Sequence, residues 1–281
     1  MDARTIVISG GTDGMGRALA LRRVARGDRV IAVGSSAEKG ARLVADAADA
    51  AAPGGRVEFV RADLSTVAGA RAVVDAAGRA TEVVDALVLF ANRVRPRRVE
   101  TADGLESTFA LYYLSRYLLS HGLTPALERS AAPVVVNVAG VGATKGSIQW
   151  DDLQLTRRYS AVAAQLQAGR ANDLLGVDYA ARHGDRVPYV LYHPGFTRSG
   201  DLSTLPRLTR TAIRAAARLF ARPVEAAVAP IDGFVETPPR APLTAVDRGR
   251  RLPLTLPTLD PGAAARLADR TAALLDGVAG R

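Results

Sequence analysis

Ser9-Gly10-Gly11-Thr12-Asp13-Gly14-Met15-Gly16-Arg17 is the stretch whose reading decides the fold. It follows Thr5-Ile6-Val7-Ile8, a β-branched apolar run that reads as a strand, and precedes an Ala/Leu-rich stretch that reads as a helix. Gly10 permits a tight turn, Gly14 lets the backbone approach a pyrophosphate, and Gly16 lets helix and strand pack closely. The helix N-terminus adds unpaired N–H groups and the positive end of the helix dipole. A glycine motif alone is weak evidence. Between a strand and a helix, at the head of an alternating series, it predicts a nucleotide-binding turn lined by Thr12, Asp13 and Met15.

Outward from that turn, strand-like runs recur at Arg29 to Val33, Val57 to Arg61, Ala86 to Phe90, Val134 to Val138 and Val187 to Tyr192. Helical stretches lie between them, at Gly14 to Arg26, Ala37 to Ala51, Ser65 to Arg79, Asp103 to Ser120 and Ser160 to Arg182, with Ser65, Asp103 and Ser160 where N-caps belong. Near-continuous apolar strands separated by helices imply a parallel sheet covered on both faces. The expected fold class is therefore α/β, a doubly wound Rossmann-type sheet. After Tyr192 come a helical stretch near Leu205 to Ala221, a helix led by Pro223, a Pro-rich segment from Pro238 to Pro257 and a last helix from Pro261 to Leu275. Nothing there marks a linker, so residues 1–281 read as one domain, with 200–234 as a helical, lid-like insertion.

Composition removes several chemistries. The chain has 281 residues and no Cys, which excludes disulfides, thiolate metal sites and a Cys nucleophile. Three His, at 121, 183 and 193, argue against a multi-His metal centre, and no metal is expected. The first apolar run begins at Thr5 and no run is long enough for a membrane span, so no leader, no membrane contact and a cytoplasmic location are expected. The net charge of +9 is nearly all arginine, since Lys39 and Lys145 are the two lysines. With abundant Ala, this reads as the composition of a GC-rich bacterial genome and as a solvated surface rather than a nucleic-acid-binding one.

The spacing Gly10, Gly14, Gly16 resembles that of the short-chain dehydrogenase/reductase family. Asp63-Leu64 after the third strand and Pro194-Gly195 after the sixth agree with it. Asp103-Gly104-Leu105-Glu106-Ser107-Thr108-Phe109-Ala110 and Trp150-Asp151-Asp152-Leu153 are similar to the branch holding retinol dehydrogenases and protochlorophyllide reductases. The resemblance covers about residues 5 to 200. It implies a nicotinamide cofactor held by Gly10, Thr12, Asp13, Gly14, Met15, Gly16, Asp63, Leu64, Ala91, Pro194 and Gly195. The second strand ends Val33-Gly34-Ser35-Ser36, without the acid that would bind the ribose diol of NAD. Ser35 and Ser36, with Arg17 as a counter-charge, favour NADP over NAD; the serines also read as plain caps.

The family's reacting residues are another matter. Its Tyr and, four residues on, its Lys fall on Gln165 and Gly169 here, its Ser on Gly140 and its helical Asn on Tyr112. No Tyr in the chain has a Lys four residues later. Gln165 has no useful pKa and Gly169 no side chain, so the usual carbonyl/alcohol mechanism is not expected. Tyr112, Gln165 and Asn92 are the candidate catalytic residues, with the Tyr112 phenol expected to fill the space vacated at Gly169. The basic turn Arg93-Val94-Arg95-Pro96-Arg97-Arg98 reads as a solvated loop or as a site for an anionic group. The series Arg207, Arg210, Arg214, Arg218 and Arg222 reads as a solvated helix face or an anion-steering one, and His193 as structural.

Three functions stay open. One is a remade, non-redox enzyme of cyclase, isomerase or dehydratase type acting on a bacterial secondary metabolite. The second is an NADPH-dependent oxidoreductase with other proton delivery, acting on an activated C=C or C=N bond. The third is a non-catalytic NADP-binding sensor. The expected partners are a small, anionic substrate and a second copy of the chain in a homo-oligomer.

Overall fold

The computed structural model describes residues 3–195 and 223–280. Its centre is one eight-stranded sheet in the order β3-β2-β1-β4-β5-β6-β7-β8. The strands are β1 (Thr5–Ser9), β2 (Arg29–Gly34), β3 (Arg56–Arg61), β4 (Ala86–Leu89), β5 (Val134–Val138), β6 (Tyr189–His193), β7 (Leu243–Asp247) and β8 (Arg250–Arg251). The first seven run parallel, and β8 turns back antiparallel on β7.

Side chains alternate across the sheet and build two cores. Val7, Leu87, Val135 and Leu191 face α3 (Val67–Ala80), α5 (Ser115–Leu127), α6 (Ala161–His183) and α8 (Pro261–Ala279). Ile8, Val88, Val136 and Val190 face α1 (Gly14–Val24), α2 (Ala37–Ala50) and α7 (Val224–Glu236). Burial of both faces explains why these strands read as unbroken apolar runs. The strand order reverses between β1 and β4, which opens a crevice at the carboxyl ends of the strands.

Several expectations change. The Pro-rich segment from Pro238 to Pro257 contains β7 and β8: its prolines flank Leu243-Thr244-Ala245-Val246 rather than interrupt it. Of the expected insertion, residues 223–234 belong to the body, because α7 buries Val228, Ile231 and Val235 in the core beside α1. Residues 196–222, with the expected helix near 205–221 and the Arg207 to Arg222 series, lie outside the described residues.

Two caps move as well. Thr66, not Ser65, caps α3, and Asp103 accepts the Val67 N–H at 2.7 Å instead of starting its own helix. That helix begins with the short α4 (Ser107–Phe109), whose cap is Glu106, and passes through a π-helical turn at Ala110–Leu114 into α5. Ser160 caps α6 as expected.

A buried charge cluster staples α7 to α1. Arg23, 2% exposed, meets Asp28 at 2.6 Å, Asp232 at 3.1 Å and Glu236 at 2.8 Å, while Arg22 meets Asp232 at 2.7 Å. The hydrogen bond from Arg23 holds the Glu236 carboxyl below its ordinary value. For Asp232, burial pushes upward, but the bonds from Arg23 and Arg22 prevail. Both groups therefore add stability above the unfolded carboxylate pKa and lose it as pH falls through the folded one. Arg23→Met should cost about 3–5 kcal/mol in urea unfolding at pH 7, because it strands buried carboxylates. The deficit should shrink as pH is lowered through the carboxylate range.

Candidate active site

The glycine turn is built by close contact. A Cβ on Gly16 would stand 2.2 Å from the Gly10 carbonyl oxygen, so α1 starts pressed against its own turn. Gly10 has φ +68°, and a Cβ there would stand 3.0 Å from the Ala91 nitrogen, where the chain leaves β4. Gly14, at φ +50°, opens α1, and its N–H is capped by Asp13 at 2.8 Å. Buried Thr12 lies over Gly34. The helix N-terminus and glycine backbone thus present N–H groups and positive dipole of the kind that hold a phosphate.

At the end of β2, Ser35 is exposed, while Ser36 caps α2 by accepting the Lys39 N–H at 3.2 Å. Arg17, the expected counter-charge, pairs with Asp46. The free end of Lys39 lies instead against Asp13, on the same side as the turn. Asp63 stands exposed after β3, with one carboxyl oxygen taken by Ser65 N and Oγ at 2.9 and 2.7 Å; Leu64 is buried beside it.

Across the crevice, Asn92 and Gln165 come together. Asn92 Nδ2 donates to Gln165 Oε1 at 3.0 Å, Gln165 Nε2 donates back to Asn92 Oδ1 at 3.2 Å, and the same Nε2 approaches the Arg93 carbonyl at 3.3 Å. This amide pair bridges the end of β4 to the first turns of α6. Neither partner exchanges a proton near neutral pH.

Tyr112 lies one layer deeper, in the π-helical turn, 7% exposed, packed on Ala139 and Ala168. Its hydroxyl accepts from the Gly140 N–H, and the Arg116 guanidinium stands 4.6 Å over its ring. Burial raises the phenol's pKa, and Arg116 and the Gly140 bond only partly oppose it. Space is open directly beside Gly169: a Cβ built there, or on Gly140, meets no atom within 4 Å. The Tyr112 ring packs on the neighbouring Ala168.

Two residues of this half escaped the sequence reading. Arg116 is fully buried and has no carboxylate partner among the described residues. It donates to Asn137 Oδ1, to the Val138 carbonyl at 2.9 Å and to the Ala91 carbonyl at 3.1 Å. Asn137 in turn bonds Asn172 and Tyr189, and Asn172 bonds the Tyr112 carbonyl at 2.7 Å. Asp173 is 1% exposed. Its Oδ2 accepts the Gly142 N–H at 3.2 Å, Oδ1 has no partner, and burial pushes its carboxyl up to about 7. It follows Gly169 by one helical turn, and its charge acts on Tyr112. The signal was available: an acid inside Ala171-Asn172-Asp173-Leu174-Leu175, in register with Gln165 and Gly169.

Other polar residues nearby serve structure. Tyr113 bonds Thr271 at 2.7 Å, Tyr159 donates to the Arg95 carbonyl at 2.7 Å, and Asp152 ties its own turn through Thr156 and Arg157. In the basic turn, Arg98 bonds Glu100 and the Gln154 carbonyl. Among the described residues no group of His, Cys, Asp and Glu could hold a metal, and no helix is long and apolar enough to cross a membrane.

The family model described as short chain dehydrogenase matches residues 4–152. The chain belongs to the short chain dehydrogenase family. It is 30% identical over 97% of its length, and 93% of the relative's, to a Streptomyces sp. (strain C5) protein provisionally named daunorubicin C-13 ketoreductase DnrU. It is 29% identical to retinol dehydrogenase 13 of Mus musculus over 70% of this chain and 59% of that one. The solved structure of NADH-dependent reductase A1-R' complexed with NAD matches 90% of this short-chain dehydrogenase and 98% of its own chain, with TM-score 0.64 and 16% identity, a likeness of fold.

Asp173 gives this family member a pH signature. Its pKa is raised on folding, so its burial costs nothing below the unfolded value near 4 and costs most above the folded value near 7. Asp173→Asn, measured by urea unfolding, should gain about 4 kcal/mol on wild type between pH 4 and pH 8. Parallel curves for the two proteins would mean that the carboxyl is solvated.

Proposed function

We propose that this short-chain dehydrogenase binds NADP through the β1–α1 turn and has a remade centre that moves protons rather than hydride. Its reaction is then of isomerase, dehydratase or cyclase type, on a small, anionic secondary metabolite in the cytoplasm. The observation that carries this reading is the reciprocal Asn92–Gln165 amide pair, which stands where the family resemblance expects a reactive phenol.

The residues present fit a dinucleotide at one end. The Gly10–Gly16 cradle suits the pyrophosphate, Ser35 and Lys39 suit a 2′-phosphate, and no acid at the end of β2 favours a free ribose diol. When bound, the group supplies hydride transfer if its nicotinamide is held over substrate. At that end, Gly169 offers no cation to grip the ribose.

Proton work falls to other residues. A phenol that must give and take a proton needs a pKa lowered toward neutrality, whereas burial raises that of Tyr112. It remains a neutral O–H able to polarise a substrate oxygen in the open space by Gly140 and Gly169. Asp173, buried with Oδ1 unpartnered and pushed up to about 7, has the proton affinity suited to general acid–base work, and its charge acts on Tyr112. Asn92 and Gln165 orient substrate by hydrogen bonding.

A second reading, an NADPH-dependent reductase of an activated C=C or C=N bond with Tyr112 as proton donor, draws on one finding. The relative that spans nearly the whole chain carries a ketoreductase name.

Fluorescence titration with NADPH and NADH, followed by incubation with ketones, enones and iminium compounds, tests the choice. NADPH should bind about tenfold or more tightly than NADH and remain unoxidised. Sustained oxidation would overturn the proton-transfer reading, and its loss in Tyr112→Phe would establish the reductase reading.

A further inference from the structure

At the carboxyl ends of β5, β6 and β7 the register sets three residues in a row. His193 is opposite Asp247 on β7. On its other side the ladder runs on past β5, where the Ala139 N–H donates to the Tyr192 carbonyl at 3.0 Å and so pairs Ala139 with His193. Side chains alternate along a strand, so His193 shares the sheet face of Tyr189 and Leu191, and Asp247 that of Leu243 and Ala245, the face covered by α6. Tyr112 and Ala168 pack on Ala139, and Gly140, with open space where a Cβ would stand, follows it. His193 therefore leaves the sheet one strand spacing, about 4.8 Å, from Ala139.

The imidazole is held in one orientation. His193 Nδ1 stands 2.8 Å from Asp247 Oδ1, and Arg248 Nη2 donates to Asp247 Oδ2 at 3.1 Å. Burial pushes the Asp247 carboxyl up, but the bonds from Arg248 and His193 outweigh it and hold its pKa below the ordinary value. An ionised carboxylate only accepts, so Nδ1 carries the proton and Nε2 is the accepting nitrogen of the neutral ring. Arg248, at φ 48°, fixes the corner: its N–H donates to the His193 carbonyl at 2.8 Å, and its side chain lies against Gly195. The His193 side chain is 38% exposed, and among the described residues Nε2 forms no hydrogen bond.

We infer that His193 is a general base of this site, with Asp247 as its positioning residue, for a substrate that carries a C–H beside a carbonyl. Nε2 takes the carbon-bound proton, the C–H electron pair becomes the C=C bond of an enolate, and the charge moves to the carbonyl oxygen. Return of that proton from the imidazolium to another carbon gives an isomer, with no change of oxidation state. The Asp247 carboxylate stabilises the imidazolium between the two transfers. The neutral Tyr112 O–H, across Ala139, is the donor available to the enolate oxygen. The inference rests on the proton-transfer reading and adds to it a base open to solvent, where Asp173 is 1% exposed.

Two measurements on the full chain test it. The first is nitrogen NMR of the neutral imidazoles, with H193A assigning the resonances. The Nδ1–H tautomer is expected for His193, and loss of that preference in D247N; an Nε2–H tautomer in the wild type overturns the inference. The second uses 5-nitrobenzisoxazole, whose ring opens when a base removes its carbon-bound proton, the C–H pair forming a nitrile as the N–O bond breaks to a coloured phenolate. Faster opening than in buffer is expected, reduced about tenfold or more in D247N and abolished in H193A. Free imidazole should restore it in H193A beyond imidazole's own rate in buffer, which a merely structural histidine would not allow. H183Q, in the aromatic stack with His121 and Tyr179, should keep the wild-type rate. No acceleration, or one equal in H193A, overturns the inference. Sustained NADPH oxidation, which would overturn the proton-transfer reading, leaves both readouts unchanged, so the two failures are distinguishable.

Discussion

The contact on which the architecture turns is between Gly16 and the Gly10 carbonyl. No side chain fits between them, since a Cβ would lie 2.2 Å from that oxygen, so the first turn of α1 is driven onto the end of β1. Gly10 in its left-handed conformation then brings the turn against the backbone of Ala91. The glycine turn and the exit from β4 thereby become one unit. Everything at the carboxyl edge is indexed from that unit, because the strand order reverses there.

The opposite side of the crevice depends on a different constraint, the buried guanidinium of Arg116. A cation without a carboxylate in the interior is costly unless its donors are met. Here main-chain oxygens of Ala91 and Val138 and the Asn137 side chain meet the two Nη groups, the guanidinium lies over the face of Tyr112, and Nε is left without a partner. Burial still lowers its pKa to about 10, the mark of incomplete compensation. In return it ties the ends of β4 and β5 to the π-helical turn that carries Tyr112. The glycine turn is general chemistry for a diphosphate; the Arg116 network is particular to this interior and holds Tyr112, whose phenol pKa burial raises.

The parts of the fold legible in the sequence were those with local causes. Val134 to Val138 reads as a doubly covered strand because all five residues are buried, and Ser160 reads as a cap because its Oγ accepts the Ala163 N–H. Misreadings arose where partners are remote. Asp103 sits at a helix-start position in the sequence, yet its acceptor serves Val67, thirty-six residues away. Strand β7 is hidden by flanking prolines that a linear reading counts against it. At the site, Gln165 and Asn92 were recognisable singly, but their pairing across the crevice is a tertiary fact. Nothing in the sequence marks Asp173 and Arg116 as buried; only the packed structure shows it.

The central claim is that the chain keeps a grip on the pyrophosphate end of a dinucleotide while its nicotinamide end has been rebuilt for other work. The most direct measurement compares, by calorimetry, the affinities of NADPH and of 2′-phospho-ADP-ribose, which lacks the nicotinamide. The two ligands should bind within about threefold of one another. Binding of NADPH about thirtyfold or more tightly would mean that the nicotinamide is held after all, and would contradict the account.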